Sequence, residues 1–145
     1  MMGCFVTGTD TGVGKTLVSA GLLHALARHH RRVVGMKPVA AGLVPWGDDW
    51  ASEDAIALRS ASTLAVPPAL DNPVLLPDPL SPHIAAQRAG CEVTLAPILD
   101  AYRRLAEQAD AVVLEGAGGW LVPLSETLNI ADLAVALQLP VVLVV

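Results

Sequence analysis

Four short runs of apolar residues, separated by helical patterns, constrain the fold of this chain more than any other feature. They occupy residues 3–8, 33–37, 111–114 and 140–145. Strands that are apolar at every position are typical of parallel sheets, because helices cover both faces of such a sheet. The sequence therefore predicts an α/β fold of three layers, in which a parallel sheet lies between two layers of helices.

Helical patterns fill most of the space between these runs. In residues 15–28, apolar side chains at three- and four-residue spacing predict a buried face made of Val18, Leu22, Ala25 and Leu26. Three further helices follow polar capping residues: Ser52 before a helix that ends at residue 60, Thr94 before one that ends at residue 108, and Asn129 before one that ends at residue 138.

The remaining segments read as irregular structure. Residues 42–50 are predicted to form a loop, and the many prolines of residues 66–81 exclude a regular helix or a central strand there. A length of 145 residues corresponds to one domain. A doubly wound sheet normally continues beyond its last apolar strand, so we expect residues 1–145 to be the N-terminal part of a longer single domain.

Charge and cysteine content exclude several classes of protein. The net charge of −5 argues against a nucleic-acid surface, which needs clustered lysine and arginine. Cys4 and Cys91 form neither a disulfide framework nor a metal motif, which is typical of a reducing cytoplasm. No apolar run approaches the ~18 residues that a membrane span requires. We therefore expect a cytoplasmic protein that binds neither nucleic acid nor a membrane.

A glycine-rich loop, GTDTGVGKT, joins the first apolar run to the first helix at residues 8–16. Gly12 and Gly14 allow backbone N–H groups to approach phosphate oxygens, and the start of the following helix favours negative charge. Lys15 supplies a positive charge for the outer phosphates, and Thr16 supplies a hydroxyl for magnesium. The first glycine lies one position too early for the strict motif. Its strand and helix context nevertheless favours a variant phosphate-binding loop over an ordinary turn, and so a P-loop NTPase-like fold.

Three more charged residues are candidates for the same site. The chain has two lysines against seven arginines, and both lysines follow predicted strands or their loops. Lys37 either faces phosphate or extends to solvent from a strand end. Glu115 closes an apolar strand and is expected to bind magnesium, although a turn acid is the alternative. Asp54, in the first turn of a helix, is explained equally well by the helix dipole alone.

Five segments resemble the dethiobiotin synthetase family, in the same order and at similar spacing. They are VTGTDTGVGKT (residues 6–16), GMKPVAAG (35–42), the helix that carries Asp54, PLSPHIAA (79–86) and LEGAGGWLVPL (114–124). This resemblance implies an ATP-dependent ligase of biotin biosynthesis. The family closes 7,8-diaminononanoate and carbon dioxide to dethiobiotin through a carbamate and a carbamic-phosphoric anhydride. It also implies Mg²⁺, a homodimer and small-molecule substrates.

The resemblance further implies roles for individual residues. The catalytic residues would be Thr11, Lys15 and Lys37, and the substrate would contact Thr11, Lys37 and Ala41. The ATP contacts would be Gly12, Val13, Gly14, Lys15, Thr16, Leu17, Asp54, Glu115, Gly116, Ala117 and Gly118, and Mg²⁺ would bind Thr16, Asp54 and Glu115. Ala41 is a departure, because the family can present a serine to the substrate at this position.

Two other functions remain open from the sequence. One is an amidation enzyme related to cobyrinate synthetase, which also combines a variant P-loop with acyl-phosphate chemistry and which a glutaminase domain would favour. The other is a partition-type switch ATPase, in which nucleotide drives dimerisation. That class is expected to have a second lysine in the loop before Gly14, and residues 9–13 contain none.

Overall fold

A four-stranded parallel sheet forms the centre of the computed structural model, which describes residues 1–145. Its strand order is β2-β7-β1-β8, and two smaller two-stranded sheets, β3-β6 and β4-β5, lie beside it. The strands, in chain order, are β1 (Met2–Gly8), β2 (Val33–Met36), β3 (Val39–Ala41), β4 (Val44–Trp46), β5 (Asp49–Ala51), β6 (Val74–Leu76), β7 (Ala111–Glu115) and β8 (Val141–Val144). The four predicted apolar runs are thus the four strands of the central sheet.

Six helices surround the strands, and none is long and apolar enough to span a membrane. They are α1 (Lys15–Leu26), α2 (Glu53–Ala61), α3 (Pro68–Asp71), α4 (Pro82–Arg88), α5 (Leu95–Gln108) and α6 (Ile130–Leu137). The Ser52 side chain accepts a hydrogen bond from the N–H of Ala55, and Asn129 forms a reciprocal capping box with Asp132. Thr94 occupies the capping position of α5 without a side-chain hydrogen bond.

Alternate residues of β7 point into two separate apolar clusters. Ala111 and Val113 pack with α1 and α2, whereas Val112 and Leu114 pack with α5 and α6. Successive side chains of a strand face opposite sides of its sheet, so helices cover both faces. The predicted three-layer α/β fold is confirmed.

The buried face of α1 differs from the prediction. Ser19 and Leu23 are fully buried, while Ala25 is exposed and Val18, Leu22 and Leu26 are only partly buried. Leu23 reaches the sheet where Gly35 has no side chain: a Cβ at Gly35 would lie 2.9 Å from Leu23 Cδ1. This contact turns the helix by about one residue from the face that the apolar pattern predicts.

The two segments predicted to be irregular contain regular elements. Within residues 42–50, the antiparallel strands β4 and β5 form a hairpin in which Gly47 takes a φ of 62° at the turn. Within residues 66–81, the short helix α3 precedes strand β6, which pairs with β3 alone. The prediction of no regular helix is wrong for α3, because a proline is tolerated in the first turn of a helix. No central strand occurs there, as predicted, because β6 is an edge strand.

Candidate phosphate and metal site

The carboxyl ends of three neighbouring strands bring the predicted charged residues together. Strand β7 lies between β1 and β2, and all three are parallel. Gly8 ends β1, Lys37 directly follows β2, and Glu115 ends β7. In open α/β sheets, ligands bind just beyond the carboxyl ends of the strands.

Four side chains at this edge form one hydrogen-bonded cluster. The Lys37 ammonium donates to Asp54 Oδ2 at 2.7 Å and to Glu115 Oε1 at 3.1 Å. The Thr16 hydroxyl lies 3.0 Å from Asp54 Oδ1 and 2.8 Å from Glu115 Oε1. Residues from α1, α2, β7 and the segment just after β2 therefore meet at one point, although 99 positions separate Thr16 from Glu115.

Lys37 is directed into the site and away from solvent. The residue is 3% exposed, and its ammonium also donates to the backbone carbonyl of Gly116 at 3.0 Å. A buried ammonium requires acceptors or opposite charges on every side, and here two carboxylates and a carbonyl supply them. The alternative in which Lys37 extends from a strand end to solvent is wrong.

Lys15 lies close enough to Lys37 for their charges to interact. Its ammonium donates to the backbone carbonyl of Asp10 at 3.0 Å. Burial lowers the pKa of Lys15, and the positive charge of Lys37 lowers it further, against the opposing effect of Glu115 and Asp54. Two cations thus share one small region, an arrangement suited to an anion that carries several charges.

The loop before α1 has the backbone conformation that a phosphate-binding turn needs. Gly12 and Gly14 have φ angles of 76° and 106°, which residues with a side chain rarely adopt. A Cβ at either position would meet nothing within 4 Å, so conformation, not crowding, requires glycine here. Asp10 shapes the turn by accepting a hydrogen bond from the N–H of Thr11 at 2.7 Å.

Asp54 and Glu115 differ in exposure. The Asp54 side chain is 44% exposed and that of Glu115 is 1% exposed. Burial alone would raise the pKa of Asp54. The charge and hydrogen bond of Lys37, with the Thr16 hydroxyl and the charge of Lys15, outweigh that effect and lower the pKa. Asp54 is therefore held as a carboxylate at neutral pH.

Thr16, Asp54 and Glu115 fit a magnesium ion bound together with phosphate. Their oxygens are the hard donors that Mg²⁺ prefers, and Mg²⁺ in such sites uses one or two carboxylates with water and phosphate oxygens. Glu115 Oε2 is buried and has no hydrogen-bond partner, so one acceptor in the cluster is left for a cation. No group of three or more histidine, cysteine, aspartate or glutamate side chains is arranged to hold a metal ion by itself. A metal ion at this site would therefore also need phosphate oxygens as ligands.

An open cavity of about 850 Å³ adjoins the cluster. Thr11, Lys37 and Ala41, the three residues expected to contact the substrate, all line it. Residues 79–82 also line it, as do Ala117 and Gly118. The cavity therefore combines an apolar, proline-rich wall with the charged side chains of Lys37, Glu53 and Asp54.

The other expected ATP contacts lie around the same edge. Val13 is part of the loop, and Gly118 takes a φ of 62° in the turn after β7. Leu17 is 79% exposed on the first turn of α1, so a contact from this residue would use its backbone. Apart from Leu17 and Gly116, every residue predicted for the site lies in the loop, in the cluster or at the cavity. The Gly116 carbonyl accepts a hydrogen bond from Lys37.

The sequence did not indicate four residues that support the site: Asp10, Arg59, Asp71 and Asn72. Asp10 acts through its backbone carbonyl, which a side-chain pattern does not reveal. Arg59 pairs with Asp71, and Asn72 binds the backbone of Lys37. The run Asp71-Asn72-Pro73 was the available signal, since a buried polar pair in a proline-rich segment needs specific partners.

Comparison with known proteins agrees with this site. A family model described as an AAA domain matches residues 2–145. The chain is 57% identical over 142 residues to the ATP-dependent dethiobiotin synthetase BioD of Ralstonia nicotianae, covering 98% of the chain and 62% of that relative. It is 54% identical over 141 residues to the protein of the same name from Xanthomonas axonopodis pv. citri, covering 97% of the chain and 63% of the relative.

These matches confirm the resemblance to dethiobiotin synthetases and the P-loop NTPase-like fold. The chain spans about three fifths of the length of the curated relatives it matches. With a match over residues 2–145 and the phosphate-binding loop in place, the chain belongs to the AAA domain family.

Proposed function

We propose that the protein is an ATP-dependent ligase that converts 7,8-diaminononanoate and carbon dioxide to dethiobiotin. The observation that carries this proposal is the position of Lys37. Its buried ammonium lies beside Lys15 and the phosphate-binding loop, and it lines the same cavity as Thr11 and Ala41. The names of the curated relatives support the same reaction.

The proposed reaction forms two carbon–nitrogen bonds and uses one phosphoryl transfer from ATP. One amine of the substrate adds to carbon dioxide and loses a proton, which gives a carbamate. A carbamate oxygen attacks the γ-phosphorus of ATP, the bond to the β–γ bridging oxygen breaks, and ADP leaves. The second amine then attacks the carbonyl carbon of the mixed anhydride and loses its proton. Phosphate departs and the ureido ring is closed.

Lys15 and Lys37 reduce the repulsion between the two reacting anions. Phosphoryl transfer depends mainly on positioning and on neutralising charge, because ATP and a carbamate repel each other. An ammonium is compact and can follow the phosphoryl group from one oxygen to the next. In this proposal Lys15 contacts the outer phosphates, and Lys37 lies between the γ-phosphate and the carbamate.

The loop and the metal ligands hold the nucleotide. Backbone N–H groups of residues 12–17 bind phosphate oxygens at the start of α1. Thr16, Asp54 and Glu115 would hold Mg²⁺, which supplies further neutralisation of the phosphate charge. Residues 115–118 contribute the remaining contacts on the far side of the loop.

The cavity beside Lys37 receives the diamine. The Thr11 hydroxyl is the polar contact for the carbamate, and the proline-rich wall covers the alkyl chain. Ala41 has no hydroxyl, so the serine contact that the resemblance implies is replaced by water or is not made. We further propose a cytoplasmic homodimer, which sedimentation of the full-length protein would test by showing twice the mass of one chain.

The test of the proposal is detection of the cyclic urea by mass spectrometry. Full-length protein is incubated with the diamine, bicarbonate and Mg-ATP, and each component is omitted in turn. We expect dethiobiotin and phosphate only in the complete mixture. Equal phosphate release without diamine and bicarbonate would instead indicate a switch ATPase.

A variant of Lys37 tests the role of that residue in the same assay. Lys37→Ala should retain binding of a fluorescent ATP analogue but lose product formation by at least about 100-fold, because a charge aimed at the transition state is removed. Arg104→Ala is the matched control, since it also removes one positive charge, from an exposed position on α5. Normal turnover by Lys37→Ala would exclude Lys37 from the reaction.

A further inference from the structure

The backbone of Lys37 lies just beyond the central sheet and needs partners of its own. The pairing of β2 with β7 ends at Met36, and Pro38 follows Lys37. Because Lys37 is buried, its N–H and carbonyl groups would be costly to leave without hydrogen bonds. Both groups are in fact satisfied by two consecutive residues of one distant segment.

Asp71 and Asn72 hold the backbone of Lys37 at its N–H group and at its carbonyl group. The N–H of Lys37 donates to the backbone carbonyl of Asp71 at 2.7 Å. The Asn72 side-chain amide donates to the carbonyl of Lys37 at 2.8 Å. Asn72 is 6% exposed and Asp71 is 3% exposed, so water does not compete freely for these groups.

The orientation of the Asn72 amide is fixed by its neighbours. Its nitrogen also lies 3.3 Å from the backbone carbonyl oxygen of Val74. Two carbonyl oxygens can be satisfied only by an N–H₂ group, so the amide oxygen must point the other way. Asn72 Oδ1 is buried there without a hydrogen-bond partner. The two hydrogen bonds that the amide nitrogen donates offset the free-energy cost of this buried oxygen.

An ion pair anchors this segment to helix α2. Arg59 donates from Nε to Asp71 Oδ2 at 2.8 Å and from Nη2 to Asp71 Oδ1 at 2.7 Å. The guanidinium also lies 4.5 Å from the ring centroid of Trp46. A bidentate pair of this kind fixes direction as well as distance.

One helix is therefore linked to both ends of Lys37. Asp54, in the first turn of α2, accepts a hydrogen bond from the ammonium. Arg59, in the last turn of the same helix, holds Asp71, whose carbonyl accepts from the Lys37 N–H. Backbone and ammonium of Lys37 are thus fixed relative to a single rigid element.

We propose that Asn72 is a positioning residue for Lys37, and that Arg59 acts with it by holding Asp71. This inference rests on the proposed function in that Lys37 is taken to act on the transferring phosphoryl group. The side chains of these two residues form no hydrogen bond with the phosphate-binding loop or with the metal ligands. They act on the rate of the reaction through Lys37 and leave nucleotide binding to the loop.

Two variants of full-length protein test the proposal. Asn72→Asp keeps the size of the side chain but replaces the donor that faces Lys37 with an acceptor. Arg59→Gln removes the charge that holds Asp71. Arg32→Gln is the matched control, because Arg32 also contacts a carboxylate, that of Asp110, through two nitrogens, at the other end of β2.

Kinetics give the first measurement. We expect kcat for Asn72→Asp to fall 10- to 100-fold and kcat for Arg59→Gln to fall about tenfold, since small displacements of a positioned group have effects of this size. The Kd for a fluorescent ATP analogue should change less than threefold, and Arg32→Gln should match the wild type. Thermal unfolding of each variant shows that it is folded at the assay temperature.

The side-chain NMR signal of Lys37 gives a second measurement that does not depend on turnover. In protein labelled with ¹³C and ¹⁵N at lysine, Lys37→Arg assigns the signal by its loss. We expect the Cε–Nζ signal of Lys37 to shift or broaden in Asn72→Asp and in Arg59→Gln and to stay unchanged in Arg32→Gln. A folded Asn72→Asp protein with unchanged kcat and an unchanged Lys37 signal would overturn the proposal.

Failure of the two proposals can be told apart. A wild-type protein that makes no cyclic urea would overturn the proposed function, and the NMR measurement would still decide whether Asn72 and Arg59 position Lys37. An active wild type with an undisturbed Lys37 signal in folded variants would overturn the positioning role alone. Equal losses of ATP affinity and kcat would also contradict it, because they indicate general damage to the site.

Discussion

Removing the positive charge of Lys37 should leave Glu115 as a buried carboxylate without its cation partner. The two side chains are 4% and 1% exposed, and their charged atoms lie 3.1 Å apart. At an effective dielectric constant of about 20, Coulomb attraction at that distance is about 5 kcal/mol, which is an upper bound on the net effect. We therefore expect Lys37→Met to lower the free energy of unfolding by about 3–5 kcal/mol, the usual cost of breaking a buried pair.

A double-mutant cycle isolates this interaction. Glu115→Gln removes the carboxylate charge in the Lys37→Met background, so the double variant no longer contains the uncompensated group. The coupling energy should be about 2–4 kcal/mol, because desolvation and the remaining contacts of Asp54 and Thr16 offset part of the attraction. The double variant should then be hardly less stable than Lys37→Met alone.

Urea unfolding at pH 7, with a chelator to exclude magnesium, measures all four proteins of the cycle. The exposed pair Arg32 and Asp110 provides a control cycle with Arg32→Met and Asp110→Asn, for which we expect a much smaller coupling, because solvent screens both groups. If the two cycles gave equal coupling energies, the argument that burial makes the Lys37–Glu115 pair strong would be refuted.

Three further predictions concern glycines and a surface pair. Gly35→Ala should lower the free energy of unfolding by about 1–3 kcal/mol in urea titrations, because its Cβ would lie 2.8 Å from Leu58 Cβ. Gly21→Ala should raise it by about 0.5–1 kcal/mol, because a Cβ at this position of α1 meets nothing within 4 Å; a loss would contradict this. Hydrogen bonds from Arg32 lower the pKa of Asp110 from 3.8 to about 2. Their stabilisation is therefore present above pH ~4 and lost as pH falls towards 2, so Asp110→Asn should flatten the acid end of the stability–pH curve.

The parts of the molecule that the sequence predicted are those that depend on local pattern. Strand β7 is apolar from Ala111 to Leu114 because helices cover both faces of the sheet there, and Ser52 and Asn129 satisfy N–H groups within one turn of their own helices. The meeting of Lys37 with Glu115 was also predictable, because both lie at the carboxyl ends of strands of one parallel sheet. Local rules contain enough information for each of these features.

The parts that the sequence did not predict depend on pairing between distant segments. Strand β6 exists because β3 offers an edge to a proline-rich segment, and no pattern within residues 66–81 reveals that edge. The proposed roles of Asn72 and Arg59 likewise depend on the position of Lys37, which lies 35 positions from Asn72 along the chain. Their spacing along the chain matches no motif, so only three-dimensional structure connects them.

The cluster at the edge of the sheet has a consequence for the order in which ligands bind. The ammonium groups of Lys37 and of the neighbouring Lys15 carry together as much charge as the carboxylates of Asp54 and Glu115, so the formal charges cancel. A free divalent cation would meet the repulsion of both lysines, and a free triphosphate would meet that of both acids. We expect the preformed complex of metal and nucleotide to enter as a unit, because its two parts face opposite charges at the same moment.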